Sequence, residues 1–397
     1  TKVELSVQGA GLAIKRELTL QPGANTIALV LDKPVSGDVE ISLRQNGHDK
    51  DRVRQTISVL APGWLSDRAL ALDLKQADTR VNLPADARDI KLSLAQGASG
   101  HFARIADDLL EYPWGCVEQT ASRLLPLALL YRSLPADAPR VRELSQTLAT
   151  HRLRLIQMAG PEAVFGWWGV GTGESAWLTA YAYYADWHAS RALGLKLPAG
   201  HWEQVQTAYT KYGKNDSLPL RTLSVWFMQE MNLPVRTLVE GLLQDAAQVS
   251  AQAKSAGHRN SAWLGEGGAS DAMSLVLIGQ LAQNQKLALS SEQSLRINAA
   301  REELRKAGDG PGMALLAMEG KVKREDAERS LAALGPEQAT FDRALALVWW
   351  NKALGGTPAS TAGIPKPQGF WQTIKSSLGA PTWRWTGSDK PTSILLP

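Results

Sequence analysis

Glu111-Tyr112-Pro113-Trp114-Gly115-Cys116-Val117-Glu118-Gln119-Thr120 holds the only cysteine of the chain, with a glutamine three residues beyond it. A lone cysteine has no partner for an intrachain disulfide and is a weak zinc site. It is either a buried, inert thiol or one with chemistry of its own. Pro113 and Gly115 make a turn, and the residues from Val117 onward suit a helix. Cys116 is therefore expected in the first turn, where free N–H groups and the helix dipole favour a thiolate. Gln119 projects on the same side of that helix start. Attack of the Cys116 sulfur on the Gln119 carboxamide, with loss of ammonia, would close a small ring through an internal thioester. Such a bond is an activated acyl group. It lasts only where water is excluded, and it acylates an amine or hydroxyl that reaches it. Tyr112 and Trp114 are candidates for part of the apolar cover.

Gly115-Cys116-Val117-Glu118-Gln119-Thr120, preceded by Tyr112-Pro113-Trp114 and followed by Ala121-Ser122-Arg123-Leu124-Leu125-Pro126, resembles the thioester motif of α2-macroglobulins and complement thioester proteins. The bacterial α2-macroglobulin-like proteins are the nearest match, and the Gly-Cys-x-Glu-Gln core is specific. The extended likeness runs from about Tyr112 to Leu130, with a weaker one over the helices beyond. By this resemblance Cys116 and Gln119 carry the thioester, and Tyr112, Pro113, Trp114, Gly115 and Glu118 support the motif. Glu118 also suits a helix N-terminus as a solvated acid.

At 397 residues the chain is expected to hold two or three units, and its 44% hydrophobic content can build a real core. No apolar run is long enough to span a bilayer. The N-terminus lacks a signal-peptide pattern and both ends stop on strand-like runs, so the chain reads as an excised fragment. A net charge of +4 without a basic block argues against nucleic acid and anionic membrane as partners. One cysteine leaves the redox compartment open.

Val3–Val7, Thr26–Leu31, Val39–Leu43 and Thr56–Leu60 alternate with period two, separated by turn signals such as Gln45-Asn46-Gly47-His48. This is a β-sandwich pattern of macroglobulin or fibronectin type, expected over residues 1–62. Leu70–Leu74 and Ile90–Leu94 add strands over 63–100. The resemblance implies that they form the first part of a CUB-like β-domain interrupted by the thioester domain. From 101 to 355 the period is helical. Twelve segments are expected, starting near His101, Cys116, Pro139, Glu174, His201, Ser217, Pro234, Ser270, Glu292, Pro311, Arg324 and Pro336. Twelve helices in six hairpins suit an α/α toroid, the fold of the family's thioester domain. No fixed repeat is visible, so a plain helical solenoid stays open. Residues 356–397 read as a linker, a short helix at Phe370–Ile374, a strand at Thr382–Thr386 and a return strand at Thr392–Leu396. The expected fold is thus multidomain β plus α.

Phe165-Gly166-Trp167-Trp168-Gly169-Val170-Gly171-Thr172-Gly173-Glu174 follows no strand and makes no phosphate-binding fingerprint. It reads as an aromatic inter-helix loop at the toroid rim. Bacterial relatives have a similar loop before a segment like Ser175-Ala176-Trp177-Leu178-Thr179-Ala180, which makes Trp167, Trp168 and Trp177 candidates for shielding the thioester. Complement-type domains use a distant histidine to switch reactivity towards hydroxyls, and His258 lies in a suitable region. Without a histidine, direct attack by lysine amines is favoured. His188 reads as a satisfied core histidine. The remaining histidines show no metal-ligand spacing, so neither metal nor cofactor is expected.

The resemblance implies a fragment of a broad-spectrum protease inhibitor, not an enzyme. A bait region outside residues 1–397 is cut, the domains rearrange, and a lysine of the protease is captured in a single turnover. Its partners would be target proteases and the remaining macroglobulin domains. It would lie in the bacterial periplasm in a defence role, with membrane anchoring only through a part of the chain absent here. Three alternatives stand beside this one. They are a structural macroglobulin module without a formed thioester, a Cys/His protease using His258 or His188, and an α/α-toroid enzyme of glycoside hydrolase or cyclase type. The toroid enzyme needs paired carboxylates, for which Asp107-Asp108 is the candidate.

Overall fold

The period-two alternation of the first residues makes β1 (Lys2–Gly9), whose Leu5 and Val7 point to one buried face. In the computed structural model β1 pairs antiparallel with β2 (Leu12–Thr19) and β3 (Gly37–Gln45), and β3 pairs with β4 (His48–Ile57). The structure describes residues 1–23, 25–28, 35–58, 79–85, 87, 90–93, 97–111, 115–133, 141–198, 200–248, 268–335, 338–354, 371–374, 382–385 and 393–396. The chain divides into two units, Thr1–Ser66 and Asp67–Pro397.

In the first unit the strand order is β2-β1-β3-β4. Val7 faces Ile14 and Ile41 across the strands, and Leu5 faces Leu43. Asn46 and Gly47 both have positive φ, the geometry of a two-residue hairpin turn. Among the described residues of the expected sandwich there is one antiparallel sheet. Val3, Leu5, Val7 and Val39 are buried, whereas β4 is exposed along almost its whole length. Of the strand expected at Thr26–Leu31, Thr26–Ala28 is not strand, and Leu29–Leu31 lie outside the described residues. Val59, Leu60, the Pro62–Trp64 boundary and Leu70–Leu74 lie outside them too.

The second unit contains twelve helices among the described residues, each starting within about a turn of its expected position. They are α1 (Gly97–Glu111), α2 (Val117–Ser133), α3 (Val141–Gln157), α4 (Ala176–Ala192), α5 (Gln204–Tyr212) and α6 (Leu218–Glu230). The rest are α7 (Arg236–Asp245), α8 (Gly268–Asn284), α9 (Ser291–Ala307), α10 (Gly310–Met318), α11 (Arg324–Ala332) and α12 (Thr340–Leu354). Local chemistry sets the ends. Ser290 and Gln293 form a capping box on α9, Gly308 closes it in the left-handed region, and Asp309 caps α10.

Two kinds of helix alternate. α2, α4 and α6 are buried nearly all round, whereas α3, α5, α7, α9 and α11 bury one stripe each, such as Leu144, Leu148 and Leu155 on α3. The packing follows that division. α2 packs on α4, α4 on α6, α6 on α8, α8 on α10, α10 on α12, and α12 returns to α2. α3, α5, α7 and α9 each lie against the even-numbered helices on both sides, α11 lies against α10 and α1, and α1 also touches α2 and α12. The most completely buried aromatic side chains, Trp226, Trp349, Trp350, Tyr181, Tyr184, Phe227 and Phe341, all belong to even-numbered helices. No described helix is long and apolar enough to cross a membrane.

Strands from before and after the helices pair with each other. β5 (Thr79–Asn82) pairs with β9 (Ser393–Leu396), while β8 (Thr382–Trp385) lies between β6 (Lys91–Ser93) and β7 (Trp371–Ile374), all antiparallel. The short helix expected at Phe370–Ile374 is corrected to strand β7. Its run contains Trp, Thr and Ile, which suit a strand, and pairing with β8 decides the matter.

Candidate functional site

Cys116 is the residue immediately before α2 rather than part of its first turn. It acts as the N-cap. The Gln119 backbone N–H donates to Cys116 Sγ at 3.5 Å, and the Cys116 N–H donates to Gln119 Oε1 at 3.3 Å. This is a capping box with sulfur in place of a hydroxyl, the arrangement that Ser290 and Gln293 make at α9. The three-residue spacing therefore brings thiol and carboxamide face to face for a local backbone reason. Cys116 is 3% exposed and has no disulfide. Burial pushes its thiol pKa up, and the nearby Glu118 charge adds to this, although backbone N–H groups pull the other way. The expected preference for thiolate is thus reversed, because desolvation outweighs the helix start.

Glu118 is corrected from solvated acid to buried tie. Its carboxylate accepts from Ser122 Oγ at 2.7 Å and from Thr340 Oγ1 at 2.9 and 3.1 Å, which joins α2 to the start of α12. Ser122 also meets the Tyr181 hydroxyl at 2.9 Å. Burial raises the Glu118 pKa, opposed by these hydrogen bonds and by Arg343. Gly115 is described, whereas Tyr112, Pro113 and Trp114 lie outside the described residues.

The Gly/Trp stretch closes on the same place. The Val117 N–H donates to the Trp167 carbonyl at 3.0 Å, which pins the loop to the head of α2. Within the loop, Trp168 N–H donates to Thr172 Oγ1, Gly171 N–H to Glu174 Oε1, and Ser175 N–H to the Phe165 carbonyl. Gly169, Gly171 and Gly173 all have positive φ, which the turns of this loop require. Trp167 meets Trp177 edge-on at 5.7 Å, Trp177 meets Phe341 at 5.5 Å, and Phe341 meets Tyr181 at 4.8 Å. Of the three shielding candidates, Trp177 is buried, Trp167 is 37% exposed and Trp168 is 65% exposed.

His258 lies outside the described residues. His188 is buried as expected, but neither ring nitrogen has a hydrogen-bond partner among the described residues, which corrects the reading of it as satisfied. It packs edge-on against Tyr184 and Trp187. Burial, with Arg132, Arg191 and Lys352 nearby, lowers its pKa to about 3. Asp107 and Asp108 sit on α1, one of the odd-numbered helices, and Asp108 is paired with Lys91 and Arg104. Sequence reading missed Arg154, whose guanidinium covers Gly115, and His151 one turn before it on α3.

The comparisons place this fold and motif among the α2-macroglobulins. The alpha-2-macroglobulin of Ralstonia nicotianae (strain ATCC BAA-1114 / GMI1000) is 38% identical over 424 residues, covering 98% of this chain and 26% of the relative. No family model matches the chain. Among solved structures, the native conformation of Escherichia coli alpha-2-macroglobulin has a TM-score of 0.51 at 17% identity, covering 100% of this chain and 27% of that one. Native E. coli alpha-2-macroglobulin from domain MG7 to the C-terminus has a TM-score of 0.48 at 16% identity, covering 99% and 68%. The chain belongs to the α2-macroglobulin family and spans about a quarter of the curated relative it matches.

Proposed function

We propose that this chain carries the reactive segment of a protease inhibitor that traps its targets through a thioester between Cys116 and Gln119. The observation that carries the reading is the reciprocal contact of these two residues in one buried capping box. Sulfur adds to the carboxamide carbon, the C–N bond breaks, and ammonia leaves with the thiol proton. Cleavage of a bait region elsewhere in the full protein lets a lysine amine of the protease reach the bond. A C–N bond then forms, the C–S bond breaks, and the proton lost by the amine ends on the Cys116 sulfur. Each molecule reacts once, so this is acyl transfer without turnover and the protein is not an enzyme.

The closed cycle of even-numbered helices, flanked by odd-numbered ones, supports reading residues 101–355 as an α/α toroid. Pairing of β5 and β6 with β9 and β8 supports a CUB-like domain built from residues 63–100 and 356–397. The sheet of residues 1–62 is assigned to a macroglobulin-like module. Trp167, Trp168 and Trp177, with Tyr112 and Trp114, are assigned to shielding the bond, and His258 remains the candidate switch. By kinship, the protein works in the bacterial periplasm alongside its other macroglobulin domains, and any membrane anchor lies in another part of the chain. In the full-length protein, added trypsin should become attached in a complex that survives SDS and is absent from Cys116→Ser and Gln119→Ala. An equal yield of that complex from Cys116→Ser would refute covalent trapping at this site.

A further inference from the structure

One charged neighbour of the Cys116–Gln119 turn has no part in the chemistry above. A Cβ added at Gly115 would lie 2.8 Å from Arg154 Cζ and 3.4 Å from Nη1. Gly115 does not have a positive φ, so it is this close approach that requires the glycine. Arg154 lies near the end of α3 and Gly115 precedes α2, so the two packed helices run antiparallel at this point. Three residues back along α3 is about 4.5 Å, which sets His151 level with the first turn of α2. His151 is influenced by Arg154 and by Arg123, which stands one turn beyond Gln119 on α2. His151 thus stands beside the first turn of α2 and feels the charges of both arginines.

The pairing of the arginines on α3 is uneven. Arg152 is held by Asp186 at 2.7 Å and donates to Ser190 Oγ at 3.0 Å, on the α4 side. Arg154 makes neither a hydrogen bond nor an ion pair with any described residue. The nearest carboxylate in sequence, Glu118, is turned onto Ser122 and Thr340. A cation uncompensated by any described carboxylate thus rests against the residue preceding the cysteine.

We propose that Arg154 stabilises the negative charge that develops during acyl transfer at Cys116 and Gln119. The proposal rests on the thioester reading above. When an amine adds to the Gln119 carbonyl carbon, the C=O electron pair moves onto oxygen. When that intermediate collapses, the C–S bond breaks and its electron pair leaves with the Cys116 sulfur, which then takes the amine proton. Both stages place negative charge beside the buried Cys116, and Arg154, exposed to solvent but with its guanidinium against Gly115, brings a cation to that turn.

The test uses the full-length protein and follows the release of the Cys116 thiol by methylamine at several salt concentrations. Native mass, lighter by one ammonia, first establishes that each variant holds the bond. Arg154→Gln should release its thiol roughly tenfold more slowly than the unmodified protein. Arg154→Lys, which keeps the charge, should recover most of the rate. The unmodified protein should slow as salt rises, whereas Arg154→Gln should not. Equal rates for Arg154→Gln and the unmodified protein would overturn the proposal. So would an Arg154→Lys as slow as Arg154→Gln, because shape and not charge would then be at work. An unmodified protein with no methylamine adduct contradicts the thioester reading itself, and the Arg154 assignment with it.

Discussion

Cys116 does two jobs that ordinary side chains separate. It caps α2 as a serine would, and in the function proposed above it also presents a nucleophile to the carboxamide that the cap brings to it. Glu118, between the two, serves packing. Its two hydroxyl partners lie on α2 and α12, and Thr340 is 222 residues away in sequence. That distance is why sequence reading saw only a first-turn acid. Glu118→Ala should cost about 3 kcal/mol in urea unfolding, since it removes the buried acceptor shared by the Ser122 and Thr340 hydroxyls. Because burial raises the Glu118 pKa, the folded state holds this proton more tightly than the unfolded one. Its contribution is full below about pH 4.3 and is lost as pH rises through the folded value. Glu118→Gln should therefore gain stability relative to the unmodified protein between pH 5 and pH 8. Gly115→Ala pushes against the flexible end of Arg154, so the fold should survive within about 1 kcal/mol. Its thiol release should slow as in Arg154→Gln. Thiol titration with methylamine, beside a thermal melt, checks both halves.

At the scale of elements, the capping role can be separated from the chemistry on α2. Cys116→Ser keeps an acceptor at the N-cap and should leave stability within about 0.5 kcal/mol. Cys116→Ala should cost about 1 kcal/mol, while both abolish methylamine uptake. Equal melting of the two would show that the sulfur makes no cap. The helices were legible because their apolar stripes and caps are local, as at Ser290 and Asp309. β2 and β4 were less so. The β4 run His48–Ile57 is almost wholly charged or polar and exposed, so it lacks the apolar alternation by which strands are recognised. The α3 contribution to the site was hidden for a different reason. Nothing in the spacing of Leu144, Leu148 and Leu155 tells which residue of α2 lies beside Arg154.

Across the whole molecule, the helical unit buries a histidine that cannot take a proton cheaply. His188 has an ordinary pKa near 6.5 and a folded value of about 3, so the folded state binds the proton less well. Stability is complete above about pH 6.5 and falls by about 1.4 kcal/mol per pH unit below it, down to the folded value. His188→Leu should flatten that acid slope in urea midpoints measured between pH 7 and pH 4. The central claim concerns the bond at the head of α2, and intact mass measures it directly. Freshly purified native protein should be lighter than its sequence by one ammonia, and methylamine should convert it to a one-to-one adduct with one newly titratable thiol. Cys116→Ala should show neither change. A native mass equal to that of the sequence, with the Cys116 thiol free from the start and no adduct after methylamine, would contradict the account.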